Sequence, residues 1–370
     1  MAEPKKPSPS EKRHLDDLNI GKYHFSQGGK SCLNRHVSDY SLGNPCSHRW
    51  HARVVGLTLT KQEPGREGQN LFKWPADAPK QPPAGTSWDL DGANFTTSAS
   101  IPYSFECHHV VPNHELSAAI NAVGKESAMK AEIVALVRKG LMEEEYNLNE
   151  KINMLILPMS KGEAFALALP KHKKTPSQPS HFRYSSYVRK ELDKMLKPLK
   201  KDVDKHEEEA RKNEKDSKAN TKEANRSEEE ANRQQKMLQG NEEKGHLGRA
   251  AIHKEREAAS RSQAQAQRDA ATAQQKVAAA QRDEIRKKVG ASTSSPPEGM
   301  GKQGIEGLSK WLRDAIIEAG LLMKELGLDS SVDDLRRLKE LRKLKEQGDL
   351  EAFKQKLQKL QELPAKLRPT

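Results

Sequence analysis

Apolar residues recur at helical spacing over several stretches of this chain and at strand spacing over a few shorter ones. Leu116, Ala119, Ile120 and Val123 fall on one face of a helix that Asn113 can cap, and Met129, Ile133, Leu136 and Val137 repeat the pattern up to Gly140. These two helices separate two extended runs, residues 103–112 and 153–158. A further apolar run, residues 164–169, follows Ser160, Lys161 and Gly162 so closely that the spacing predicts a β-hairpin with 153–158. Residues 52–60 read as another strand-like piece. After a loop rich in Pro, Lys and Ser, a helix is predicted from Ser180 through Tyr187, Leu192 and Leu196.

The pattern changes beyond residue 200. Residues 200–290 are rich in Glu, Lys, Ala, Gln and Arg, with high helix propensity but no sustained seam of large apolar residues. That composition predicts a long solvated helix or a loose, Ala-based coiled coil, interrupted near Gly240, Gly245 and Gly248. The stretch from Gly290 to Gly301 reads as a linker. Beyond it, Ile305, Leu308, Leu312, Ile316 and Met323 form one stripe, and Ser331 with Asp334 caps a helix bearing Leu335, Leu338, Leu341 and Leu344. The expected division is a disordered N-terminus (1–19), a small irregular β-containing region (20–99) and a compact α+β domain (100–199). A charged helical or coiled-coil region (200–290), a linker (291–304) and a helical hairpin (305–370) follow, the hairpin being a docking element remote from any site.

Composition supports one compact domain and not a uniform core. Only 34% of the 370 residues are hydrophobic against 31% charged, and no Phe, Trp or Tyr occurs between Tyr187 and Trp311. The net charge is +12, and residues 151–200 carry 11 Lys/Arg against 3 Asp/Glu. Such a concentration suits phosphate contacts, although a charge bias alone is ordinary solvated surface. Three cysteines make no disulfide framework. No apolar run approaches the roughly 20 residues of a membrane span, and the first ten residues lack the apolar core of a signal peptide. The expectation is a protein that is cytoplasmic in its producer and exported, if at all, by a route independent of a signal peptide.

Candidate chemistry centres on the adjacent pair His108 and His109 at the end of the run from Tyr103 to Pro112. On an extended backbone neighbouring side chains point to opposite faces, so one imidazole can hold a divalent metal while the other takes a proton from water. Asn153 follows, opening the run Asn153-Met-Leu-Ile-Leu-Pro158, and then His181 in His181-Phe-Arg-Tyr-Ser-Ser-Tyr187. A second set, Cys32, His36, Cys46, His48 and His51, has the ligand types of a zinc site but spacings of no standard one, and scattered residues of a reduced protein explain it better.

In order and flanking residues, Cys107-His108-His109-Val110-Val111-Pro112, Asn153 to Leu157-Pro158, and His181 with Tyr184 resemble the AHH nucleases of the HNH/endonuclease VII superfamily. Many of these are toxin domains of bacterial polymorphic-toxin and secretion-effector proteins. Cys107 stands where that family has alanine, and Met154 where glycine is common. The resemblance covers about residues 100–195. It implies an α+β, ββα-metal core with a helical insertion, and hydrolysis of phosphodiester bonds in DNA with little sequence preference. His109 would be the general base, Asn153 would orient it or ligate the metal, and His108 and His181 would bind one divalent ion, Mg²⁺ or Zn²⁺. His172 would share the metal or meet phosphate together with Lys173, Lys174 and Arg183. The implied partners are DNA, with RNA not separated from it by sequence, a cognate immunity protein, and a secretion or chaperone component at the C-terminal helices. A non-catalytic nucleic-acid-binding scaffold and a mobile-element HNH endonuclease are the competing readings.

Overall fold

The computed structural model describes residues 32–33, 43, 47–57, 67–71, 98–99, 103–173, 181–244, 246–294 and 301–362. The expected disorder of residues 1–19, and His36, Cys46 and Lys174, lie outside the described residues. The chain forms two units, one of Met1–Ala122, Val137–Lys197 and Ser292–Thr370, the other of Val123–Leu136 and Pro198–Ala291.

In the first unit a small antiparallel sheet of order β1-β2-β3 is built from β1 (Ser98–Ala99), β2 (Phe105–His109) and β3 (Met154–Pro158). The register sets His108 opposite Leu155 and His109 opposite Met154. Every residue of β3 is buried, although it is a sheet edge. Helices α1 (His48–Leu57) and α4 (Lys161–Leu167) pack on it. Between the long strands run α2 (Asn113–Val123) and α3 (Lys130–Glu143), as the apolar spacing predicts.

Two expected strands are helices. Residues 164–169 do not pair with β3; they belong to α4 because Ser160 and Glu163 form a reciprocal capping box. The Ser-x-x-Glu signature outweighs the apolar run, and the helix stops at Ala168 in the left-handed region. Residues 52–57 lie in α1, started by Ser47, whose Oγ accepts from Trp50 N at 3.2 Å. Buried His48, His51, Ala52 and Val55 follow helical spacing, which the Val54-Val55 pair disguised.

The C-terminal segment also differs from expectation. It holds three helices, α7 (Lys302–Glu325), α8 (Leu335–Glu346) and α9 (Leu350–Glu362), and it belongs to the unit that carries the sheet. The apolar stripe of α7 is thereby buried within the unit, with Leu312 and Ile316 at 0% exposure. Contact is close at Gly320, where a Cβ would fall 2.2 Å from the carbonyl oxygen of Ala168. Only glycine lets α7 approach the end of α4 so nearly.

In the second unit, α5 (Phe182–Glu243) beyond Pro198 and α6 (Leu247–Ser294) form a hairpin; the expected linker is shorter, since α6 runs to Ser294. The Ala-based alternative for this region is the one seen. Buried Val203, Ala210, Ser217, Ala224 and Ala231 recur every seventh residue, answered by Ala264, Ala271, Ala278 and Ile285. Beside this seam a polar ladder joins the helices. His206 meets Gln281 at 2.7 Å, Asn220 meets Gln274 at 2.8 Å, Ser227 meets Gln267 at 3.3 Å and Gln234 meets His253 at 2.6 Å. No helix among the described residues is long and apolar enough to cross a membrane.

Candidate metal centre

Strand alternation sends Glu106 and His108 to one face of β2 and His109 to the other. On the first face His108 meets two further imidazoles. The ligand atoms of His108, His172 and His181 all lie within 4.8 Å of one another. Their rings stand edge to face at 4.9 to 5.1 Å between centroids, and Tyr184 closes the cluster 4.9 Å from His108.

The elements that carry His172 and His181 are clamped by the C-terminal segment. The backbone of Lys171 exchanges hydrogen bonds with Ser330 and Val332, at 3.0 and 2.9 Å, while His172 N donates to Pro158 O at the end of β3. Lys171 Nζ pairs with Asp329 at 2.8 Å. Asp333 Oδ1 accepts from Tyr184 N in the first turn of α5, just after His181. The loop before α8 thus holds both ligand-bearing pieces, and its role is structural support of the site where a remote docking element was expected.

His108 is 1% exposed, and among the described residues neither ring nitrogen has a hydrogen-bond partner. An unsatisfied buried polar group costs about 1–3 kcal/mol, so this ring is expensive in a metal-free fold. Its neighbours have polar or charged groups close at hand. Glu106 Oε2 lies 2.7 Å from His172 Nδ1 and 3.3 Å from Lys173 Nζ, which directs His172 Nε2 inward in the carboxylate–histidine arrangement common behind metal ligands. Ser185 Oγ lies 3.2 Å from His181 Nδ1, and a donor role for that nitrogen leaves the Nε2 lone pair for a ligand. Burial alone would raise the Glu106 carboxyl, but His172 and Lys173 outweigh it and draw its pKa down to about 2. Complete burial, then the adjacent His181, His172 and His109, hold His108 well below the ordinary imidazole range. Burial and then His172 bring His181 to about 4. Both rings are therefore neutral at pH 7, the state a metal ligand requires.

On the opposite face His109 Nε2 lies 2.9 Å from Asn149 Oδ1. A carbonyl oxygen only accepts, so Nε2 carries the proton and the basic lone pair of the neutral ring sits on Nδ1. Asn149 is itself oriented: its backbone N donates to Asn147 Oδ1 at 3.0 Å, and its Nδ2 faces Cys32 Sγ at 3.5 Å. Cys32 is held there by backbone bonds to Tyr146 and Leu148. The His48 ring stacks on His109 with centroids 5.3 Å apart.

Asn153 does neither of the jobs expected of it. Its Oδ1 accepts from Val111 N at 2.7 Å and Ser309 Oγ at 2.9 Å, and its Nδ2 donates to Val111 O at 3.1 Å and Leu148 O at 2.8 Å. Two donors and two lone pairs are thereby used, leaving nothing for a metal or for His109. Asn153 pins the turn after His109 to the start of β3 and to α7. Of the residues expected at phosphate, His172 sits in the histidine cluster, Lys173 pairs with Glu106 and Arg183 is exposed on α5. The suspected Cys/His zinc set does not assemble among its described members. Cys32, His48 and His51 yield no metal-ligating group, and Cys32 and His48 instead support the Asn149–His109 pair.

Glu106 and Asn149 were not foreseen. A signal for Glu106 existed in its position two residues before His108 on the same strand face. Asn149 had none, because its approach to His109 depends on the turn preceding β3. No protein-family model, curated protein or solved structure matches the chain.

Proposed function

We propose that this protein is a metal-dependent endonuclease that hydrolyses DNA phosphodiester bonds, with His108, His172 and His181 holding the ion and His109 acting as general base. The single observation that carries the reading is His108, a fully buried imidazole with two unpartnered nitrogens facing two other histidines. Three imidazole ligands suit Zn²⁺ or a neighbouring transition ion better than Mg²⁺, which prefers oxygen donors. When bound, such an ion would supply Lewis-acid polarisation of a phosphate oxygen and would offset charge on the leaving oxygen.

The chain's own residues supply the proton chemistry. Nδ1 of His109 accepts a proton from the attacking water, and Asn149, by fixing the other nitrogen as a donor, stabilises the imidazolium that results. Stacking on His48 holds the ring plane. Glu106 keeps His172 aligned, and Tyr184, whose hydroxyl donates to Val110 O, fixes α5 against the end of β2. The sheet face, α5 and this His109 support the ββα-metal expectation drawn from the AHH and HNH resemblance. An antibacterial effector role with an immunity partner rests on that resemblance alone.

Supercoiled plasmid nicking tests the proposal. Nicking is expected with Zn²⁺, Co²⁺ or Ni²⁺, to stop with chelator, and to fall about 10²–10⁴-fold in His109→Ala while metal uptake persists. A His109→Ala protein retaining a third of the wild-type rate removes the base assignment. Absence of metal-dependent nicking of DNA removes the function.

A further inference from the structure

Beside His181 the surface opens into a groove of about 470 Å³, within the ~300–1,000 Å³ range of sites that take a ligand of nucleotide size. Phe182, Arg183, Tyr187 and Lys190 of α5 line one wall, and Leu335 and Arg336 of α8 contribute to the other. Residues 183, 187 and 190 follow helical spacing and form one strip about 10 Å long.

The chemistry of this groove is that of a polynucleotide site. Phe182, immediately after a metal-site histidine, is 71% exposed. A large aromatic left in water forgoes the ~1.5–3 kcal/mol that burial would give, and its flat face is open to a base. Arg183 and Lys190 belong to no ion pair among the described residues. Among the described residues Arg336 forms its ion pair with Glu340 one turn on, an exposed contact worth little and readily exchanged for phosphate. Two carboxylates also line the groove: Asp333 is engaged in capping α5 through Tyr184 N, and Glu340 pairs with Arg336 and Lys356.

We propose that this groove binds single-stranded DNA, stacking one base on Phe182 while Arg183, Lys190 and Arg336 neutralise the phosphates leading to the histidine cluster. This rests on the endonuclease reading and specifies its substrate as unpaired DNA. A duplex hides its base faces in the stack, so the exposed ring is of use only to an unpaired base.

The test separates binding from cleavage. Full-length protein in chelator is titrated into a fluorescent 12-nucleotide DNA strand, its duplex and the RNA of the same sequence, and anisotropy is followed at several salt concentrations. The single DNA strand is expected to bind at least tenfold tighter than the duplex. Phe182→Ala should weaken it about 5- to 150-fold, and Arg183→Ala/Arg336→Ala should lower the slope of log K against log salt by about 1.4. All three positions are exposed, and circular dichroism confirms that the variants fold. Equal or tighter duplex binding, a preference for RNA, or variants within twofold of wild type would overturn the proposal, whatever plasmid nicking shows. The expected binding pattern without metal-dependent cleavage of either the single strand or plasmid would uphold the groove and remove the endonuclease reading.

Discussion

In the helical hairpin, His206 and His253 each face a glutamine of the opposite helix, whereas in the sheet-bearing unit His108 faces two other imidazoles and the Tyr184 ring. The hairpin spends its polar side chains on each other, at four levels along an Ala seam. Such pairs contribute modestly to stability, but they favour one register in a structure with few large apolar side chains to choose it. His108 cannot be explained that way, because the fold surrounds it with nothing that answers its nitrogens. Polar groups of one residue type thus have opposite meanings. A half-buried histidine paired with a glutamine helps to specify the fold, and a fully buried one with neither nitrogen paired suits the metal ligand proposed above.

The largest expected effect divides the units by deletion. Removing residues 292–370 takes away α7, Ser309 and the clamp on His172 and His181, and should unfold the site-bearing unit, read as loss of a cooperative thermal transition. The sequence pattern alone predicts a docking element remote from the site, for which such a deletion would be harmless. Gly320→Val should act in the same direction, lowering stability by about 3 kcal/mol in denaturant titration, because its side chain would meet backbone that cannot yield. A stable, metal-binding truncation would merge neither unit with the C-terminus and break the comparison.

The two asparagines sharpen it. Asn153→Ala strands several buried backbone groups and should cost about 3 kcal/mol in stability. Asn149→Ala should instead lower nicking about 10- to 100-fold, the usual loss when a supporting partner of a site residue is removed, with a much smaller change in folding. Equal effects of the two on stability would show that Asn149 is structural as well.

Much of this was legible in the chain. His108, His181 and the order of elements around them follow from the His-His pair, the helical spacing of residues 113–137 and the apolar run at 153–158. Asn153 was noticed for its place in the motif, but its role was not readable, since Ser309 lies 156 residues away in sequence. The same holds for the C-terminal helices, whose stripe shows that they must be covered but not by what. Over residues 161–167 the sequence carries two signals, an apolar run that predicts a strand and the capping box of Ser160 and Glu163, and the capping box decides for helix.

Smaller effects test each kind of buried histidine alone. His108→Leu, removing two unsatisfied nitrogens, should leave the metal-free protein as stable as wild type or more stable by about 1–2 kcal/mol in denaturant titration. His253→Leu breaks a half-buried pair and should cost under about 1 kcal/mol, with metal uptake unchanged. A large loss of metal-free stability in His108→Leu would mean that this ring serves the fold after all.

The most direct measurement is a titration of metal-free full-length protein with Co²⁺, followed by visible absorption and checked by equilibrium dialysis with Zn²⁺. One ion per chain is expected, with affinity lowered by more than about 100-fold in His108→Ala and in His172→Ala, because a direct ligand should matter more than the supporting groups behind it. No saturable binding, or binding that is unchanged when His108 is replaced, would contradict the assignment of the histidine cluster as a metal site.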